Sequence, residues 1–248
     1  MLRYLKVKLW GYEYTPCTLD RWLALILHKL SFMGKEEVAI YHSFIKPGMT
    51  VVDAGANQGI FALLAAKLVG EKGRVIAFEP EVKLAQSLRQ NILMNKIENL
   101  RLEECGLGDK QTSGHLEIGT LNRGDNRLSE NGTGLKVKIC RLDEFIDVGA
   151  IDFLKIDVQG YELSVLKGLM PQLKTEGPQV IFFEFWPEGL KRVGDQPEEL
   201  IGLLHECRYT VGVINEGEFL SLNRSEIMDR SQGTWTNFVA TRVAKERN

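Results

Sequence analysis

The sequence predicts an α/β fold built on a mostly parallel, doubly wound sheet, and three observations carry that expectation. From Thr50 onward short β-rich runs alternate with longer helical ones, and parallel neighbours require crossover connections of that length. The first β run feeds a glycine turn, Asp53-Ala54-Gly55-Ala56-Asn57-Gln58-Gly59, that opens a helix. The 248 residues, 44% apolar and 26% charged, are also enough for one sizeable core, a size that α/β units often reach undivided. One domain over 1–248 is expected, with an N-terminal helical extension over 1–46 and a core over 47–241.

Before the core, Leu19, Leu23, Ile26, Leu27 and Leu30 recur at near-helical spacing after Thr18, a residue suited to capping, and a second helix is expected over 35–44. Trp10, Tyr12 and Tyr14 read either as an apolar wall for a ligand or as a strand. Pro47-Gly48 ends the helical pattern. Seven strands follow, over 51–53, 75–78, 100–107, 151–158, 180–186, 209–214 and 238–241, with helices over 60–68 and 82–94 joining the first three. The segment 112–139, rich in Gly and Asn, breaks the rhythm and reads as a β-rich insertion or flexible lid between the third and fourth strands.

Composition excludes some function classes. With 31 basic against 33 acidic residues the formal charge is −2, which argues against a basic face for nucleic acid. No apolar run approaches the roughly 18 residues that span a bilayer, so no membrane partner is expected. Residues 1–10 scatter Arg3, Lys6 and Lys8 among apolar side chains, unlike a secretory leader. Cys17, Cys105, Cys140 and Cys207 lie far apart with no CxxC pair and no histidine doublet, so a cytoplasmic protein with buried thiols and no metal is expected.

The glycine turn points to a cofactor, because in an open parallel sheet it falls at the carboxyl end of a strand, where ligands bind. A dinucleotide fingerprint wants three glycines as GxGxxG, whereas this turn has two, Gly55 and Gly59. Asp53 precedes them, where a carboxylate would repel a pyrophosphate and attract a cation. S-adenosylmethionine, with its ammonium and sulfonium groups, suits that charge. The second strand ends in Glu79-Pro80, close to the roughly 20-residue spacing of a ribose-binding acid. The alternative is an ordinary tight turn followed by an exposed glutamate.

Candidates for chemistry lie on the fourth and fifth strands. Lys155 and Asp157 leave the same face, with Asp157 at the carboxyl end as base, substrate orienter or cofactor contact, or else as the cap of the next helix. Lys155 either takes part or only neutralises Asp157. Glu162 falls in the first helical turn, where the dipole favours a carboxylate in any case. Glu184 interrupts an apolar strand, so it points into a site or meets a cation. In the lid, Arg127 either clamps an anionic substrate or belongs to a solvated loop with Arg123, Gly124, Asp125 and Asn126. Asp109 is a weaker candidate, and His28, His42, His115 and His205 form no motif.

Asp53 to Gly59, Phe78-Glu79-Pro80, Leu142-Asp143-Glu144-Phe145 and Leu154-Lys155-Ile156-Asp157-Val158-Gln159-Gly160-Tyr161-Glu162 together resemble the FkbM-type S-adenosylmethionine-dependent methyltransferases, over about residues 36–184. The resemblance implies a class I methyltransferase, Rossmann-like sheet of seven strands, the last antiparallel, and O-methylation of a sugar or polyketide hydroxyl. It implies that Asp53, Gly55, Ala56, Asn57 and Gly59 surround the methionine part of the cofactor. Glu79 with Pro80 would take the ribose, and Cys105-Gly106-Leu107 would lie near adenine. One departure is Gln159, where the family commonly has Glu. The expected function is therefore methyl transfer to a small-molecule hydroxyl. The alternatives are a nicotinamide-dependent oxidoreductase or epimerase, and a cofactor-binding protein without catalysis.

Overall fold

Eight strands form the central sheet of the computed structural model, which describes residues 6–29, 34–119, 126–129, 132–146, 150–215 and 217–243. Ahead of the sheet come a hairpin, β1 (Val7–Leu9) and β2 (Tyr12–Tyr14), and two helices, α1 (Leu19–Lys29) and α2 (Lys35–Phe44). The parallel half follows as β3 (Thr50–Ala54), α3 (Ile60–Val69), β4 (Arg74–Phe78), α4 (Val82–Met94) and β5 (Leu100–Glu103). A second, four-stranded sheet is made by β6 (Gly106–Leu107), β7 (Thr112–Glu117), β8 (Arg127–Leu128) and β9 (Leu135–Cys140), in the order β6-β9-β7-β8. The chain returns through β10 (Phe153–Ile156), α5 (Glu162–Gly168), α6 (Met170–Glu176), β11 (Val180–Phe185), α7 (Pro187–Arg192) and α8 (Pro197–Glu206). It ends with β12 (Tyr209–Asn215), β13 (Glu218–Ser221), α9 (Arg224–Arg230) and β14 (Thr236–Arg242).

The sheet order is β13-β12-β14-β11-β10-β3-β4-β5, with β3, β4, β5, β10 and β11 parallel and β14 antiparallel to both its neighbours. The strand order reverses between β3 and β10, and such a switch point opens a crevice beyond the strand ends. Strand residues alternate between two cores. Val52, Ile76, Leu154, Ile181 and Phe183 pack on the side of α5, α6 and α8, whereas Val51, Val75, Phe153 and Phe182 pack with α2 and α3. Each such side chain, fully buried, stabilises the fold by about 1.5–3 kcal/mol relative to exposure.

Several expectations change. The N-terminal extension is not wholly helical: Val7 and Leu9 are buried around exposed Lys8, and Trp10-Gly11, both at positive φ, turn the chain into a hairpin. The apolar stripe of α1 is only in part its inner face: Ile26 packs on the core and Leu27 is half-buried, and Leu30 lies outside the described residues. Leu19 and Leu23 are exposed, while Arg21 and Leu25 are buried, four residues apart on one face. The third strand divides, because after Glu103 the chain leaves the main sheet and β6 pairs with β9. The central sheet has eight strands rather than seven, since β13 folds back on β12 as an edge hairpin. The segment 112–139 is β-rich as expected, and β6, β7 and β9 lock much of it into a sheet with its own apolar cluster of Leu116, Val137 and Ile139. Arg123, Gly124 and Asp125 lie outside the described residues.

Candidate functional site

A cavity of about 580 Å³ opens at the carboxyl ends of β3, β4, β10 and β11. It is lined by Asp53, Gly55, Ala56 and Asn57 from the glycine turn, by Glu79 and Pro80 after β4, and by Gly106 and Leu107. Lys155, Asp157 and Glu184 line it from the central strands. Register explains the convergence. Lys155 is level with Asp53 on one side and Phe182 on the other, so Asp53, Lys155 and Glu184 all emerge on the α2 face of the sheet.

The glycine turn is fixed by the protein itself. At Gly55 φ is +84°, and a Cβ there would lie 1.9 Å from the Asp157 carbonyl oxygen, so only glycine lets the ends of β3 and β10 approach. At Gly59 a Cβ would meet Leu88 of α4, and Gly59 does not line the cavity. Its part is to start α3 in a left-handed conformation.

Asp53 is completely buried at the end of β3. Lys155 Nζ lies 3.2 Å from its Oδ1 as a charge pair, yet neither Asp53 oxygen accepts a hydrogen bond among the described residues. Burial pushes this carboxyl above its ordinary range, Lys155 pulls it back, and Asp157 pushes it up again. Lys155 also lies 3.2 Å from Asp157 Oδ2 and donates to the Gly55 carbonyl at 3.3 Å. Burial opposes its charge, but Asp157 and Asp53 outweigh that and hold the ammonium above its ordinary value. Asp157, with 39% of its side chain exposed, is the member of this trio open to a ligand.

Glu79 is buried, and its two oxygens accept from the backbone amides of Asn57 and Glu81, each at 2.8 Å. Burial raises it to about 7 and the two amides only partly offset this. Each oxygen has a second lone pair, so the carboxylate can still receive a diol. The insertion is tied to this corner, since Asn126 Nδ2 donates to Glu81 Oε2 at 2.7 Å.

At the far side of the cavity Gln159 joins two acids. Its Nε2 donates to Asp157 Oδ1 at 3.0 Å and to Glu184 Oε2 at 2.8 Å. Trp186 and Trp235 line the same cavity, and Trp235 is exposed.

Other candidates fall elsewhere. Glu162 is fully buried and does not line the cavity; its carboxylate accepts from the amides of Val158 and Gly160, bracing the turn between β10 and α5. That bracing replaces the catalytic role expected for it. Asp109 sits against Ser164 of α5, outside the cavity, and His42, His115 and His205 do not line it either. Arg127 does reach it, paired with Glu117 at 3.2 Å.

Three cavity or near-cavity groups escaped the sequence reading. Arg21 reaches in from α1, hidden in the sequence beneath a stronger leucine pattern. Trp235 precedes β14 in a turn without a motif. Glu37 of α2 accepts from Asn237 Nδ2 of β14, beside Glu184 in register, a contact across 200 residues that no local pattern announces. Burial raises the Glu37 carboxyl above its ordinary value.

The donor set fits S-adenosylmethionine: buried carboxylate oxygens without hydrogen bonds at Asp53, a diol acceptor at Glu79, and a single connected cavity. Comparison with known proteins agrees. A 144-residue stretch is 26% identical to Methyltransferase 1 of Beauveria bassiana (strain ARSEF 2860), covering 48% of this chain and 57% of that protein. A 72-residue stretch is 40% identical to ribosomal RNA large subunit methyltransferase E of Acinetobacter baumannii (strain AYE), covering 26% of this chain and 33% of that protein. The chain thus spans less than two thirds of the length of these curated relatives. Among solved structures, a protein assigned as an rRNA-methylase from Clostridium thermocellum has a TM-score of 0.52 at 14% identity, covering 85% of this chain and 95% of that one. A protein assigned as a methyltransferase from Streptococcus mutans, in complex with SAH, has a TM-score of 0.50 at 11% identity, covering 84% and 97%. At such identities the likeness concerns the fold alone. The methyltransferase FkbM domain model matches residues 53–211, from the acid ahead of the glycine turn to β12, and the chain therefore belongs to the FkbM methyltransferase family, whose cofactor is S-adenosylmethionine.

Proposed function

We propose that this chain transfers a methyl group from S-adenosylmethionine to a hydroxyl of a small acceptor, a sugar, polyketide or similar metabolite. The observation that carries the reading is the Asp157–Gln159–Glu184 group, which opens on the same cavity as the glycine turn and Glu79. Asp53, Gly55, Ala56 and Asn57 hold the methionine part, Glu79 and Pro80 the ribose, and Gly106 and Leu107 the adenine side. The cofactor supplies an electrophilic methyl on a sulfonium.

Asp157 takes the proton of the acceptor hydroxyl, and Glu184 orients that hydroxyl from the neighbouring strand. Gln159 keeps the two carboxylates in register, and Lys155 holds Asp157 in place. Alignment of such groups supplies roughly 7–11 kcal/mol in favourable cases. A cytoplasmic site of action accords with the four cysteines, all free thiols.

RNA is a second acceptor class, favoured by the 72-residue likeness to a ribosomal RNA methyltransferase. The acid-rich acceptor end of the cavity and the overall charge of −2 weigh against a polyanion. The test is label transfer from methyl-labelled S-adenosylmethionine to a panel of hydroxylated metabolites and to total ribosomal RNA. Labelled ethers are expected. Label in RNA alone would overturn the acceptor class, and S-adenosylhomocysteine binding with no transfer to any acceptor would leave a cofactor-binding protein. Thermal protection by NAD and not by S-adenosylhomocysteine would restore the oxidoreductase reading.

A further inference from the structure

We propose that Arg21 of α1 is a cofactor-binding residue whose guanidinium takes the α-carboxylate of the amino-acid tail of S-adenosylmethionine. This rests on the methyltransferase reading above and adds a residue from outside the stretch matched by the family model. The tail carries an ammonium and a carboxylate, so a site for it needs a negative and a positive pole. Asp53, buried beside the turn, and Asp157, open to the cavity, form the negative pole.

Two cavity-lining cations touch the glycine turn. Lys155 is held between Asp53 and Asp157 by two 3.2 Å contacts and donates to the Gly55 carbonyl, at the Asp53 end of the turn. Arg21 lies at the other end of the turn, its NH1 3.5 Å from Asn57 Oδ1, and it lines the cavity together with Ala24 of the same helix. Its Nε donates to Asp20 at 2.9 Å, and a guanidinium with five N–H groups can meet Asp20, Asn57 and a ligand carboxylate at once. Arg127, the third cation of the lining, belongs to the insertion and faces Glu117.

Arg21 is also fixed in place. The buried side-chain amide of Gln58 donates to the Arg21 carbonyl at 3.0 Å, and Asn91 Nδ2 donates to the Gln58 carbonyl at 3.1 Å, so α1 is pinned to the turn and the turn to α4. Only 10% of the Arg21 side chain is exposed, which keeps its charge strong and spares ordering entropy on binding. The start of α3 on the same turn carries no acidic residue in its first turn, so nothing there repels a carboxylate.

The experiment compares equilibrium binding of S-adenosylhomocysteine with that of its decarboxylated analogue, the same thioether lacking only the α-carboxylate, to the wild-type chain, Arg21→Gln and Arg21→Lys. Arg21→Gln is expected to weaken S-adenosylhomocysteine roughly tenfold or more while leaving the analogue within about twofold, with Arg21→Lys between, as the loss of a charge-assisted pair requires. Equal weakening of both ligands, or of neither, overturns the proposal. Should Arg21→Gln not fold, the wild-type protein decides alone: it is expected to prefer the carboxylate-bearing ligand roughly tenfold, and equal affinities overturn the proposal. Failure of the cofactor assignment on which the proposal rests looks different, since the wild-type chain would then bind neither compound.

Discussion

Gln159 Nε2 donates to Glu184 Oε2 at 2.8 Å and, from the same nitrogen, to Asp157 Oδ1 at 3.0 Å, so one neutral amide joins the acids that end β10 and β11. The arrangement depends on a left-handed Gln159, φ +55°, followed by Gly160, where a Cβ would press into the Gly189 backbone of α7. Gln159→Leu removes both donors and leaves two carboxylates facing each other unbridged. Its kcat is expected to fall roughly tenfold, with the Kd for S-adenosylhomocysteine within about twofold, because the amide touches neither the glycine turn nor Glu79. A loss of cofactor affinity that matched the loss of kcat would show that Gln159 only supports the fold.

Asp157 is the exposed one of the two acids paired with Lys155, and Asp157→Asn preserves its shape while removing the proton acceptor of the proposed step. Turnover is expected to drop by roughly 10²-fold or more, the range a positioned base contributes. Cofactor affinity, followed by calorimetry, should stay within a few fold. Unchanged turnover would take Asp157 out of the mechanism.

Lys155 stands between Asp53 and Asp157 with 5% of its side chain exposed. Lys155→Met fills the same space but leaves Asp53 buried without its countercharge, and removing one partner of a buried pair costs about 3–5 kcal/mol. Urea denaturation at pH 8 should show a loss of that order. In the variant the Asp53 carboxyl is raised further, so its penalty applies at high pH and is relieved as pH falls and the group takes up a proton. A loss that does not change with pH would mean that Lys155 stabilises by packing alone.

What the sequence could disclose depended on range. Asp53, Gly55 and Glu79 were legible because strand, turn and acid lie within one βαβ stretch and each residue type answers a local demand of φ or charge. Lys155 and Asp157 were legible as neighbours on one strand face, and the partner that explains the lysine, Asp53, is set by the β3–β10 register. Glu162 misled because a carboxylate in a first helical turn looks alike whether it faces a ligand or its own turn, and here it caps the amides of Val158 and Gly160. The hairpin at Trp10-Gly11 is legible in part: Tyr12 and Tyr14 read as a strand and form β2, while the alternation Val7-Lys8-Leu9 of its partner is obscured by a general expectation of helix. Arg21 had no such signal: it points inward on a helix whose exposed Leu19 and Leu23 carry the apolar periodicity. Glu37 and Asn237 meet only because β14 inserts beside β11, a tertiary event that short-range pattern does not encode.

Glu79 gives the site a pH dependence whose two signs can be separated. Burial raises its carboxyl from the ordinary 4.5 to about 7 despite two amide hydrogen bonds, so near pH 6 it is largely protonated in the folded, ligand-free chain. A protonated carboxyl loses an acceptor site, whereas the two ribose hydroxyls need two acceptors. Affinity for S-adenosylhomocysteine is therefore expected to rise between pH 6 and 8 and to level off above, with at most a tenfold gain per pH unit below the transition. Stability of the ligand-free protein runs the other way. The folded state holds this proton more tightly than the unfolded chain, so the stabilisation is complete below about 4.5 and is lost as pH rises through about 7. Burial raises Glu162 to about 7 as well, so Glu79→Gln should reduce that fall in stability without abolishing it. In the same variant the pH dependence of S-adenosylhomocysteine binding should flatten at a weaker affinity. Calorimetry at pH 6, 7 and 8 on both proteins decides the matter: an affinity in the wild-type chain that is constant over this range would remove Glu79 from the ribose site, because a carboxylate that binds the diol must lose its proton first.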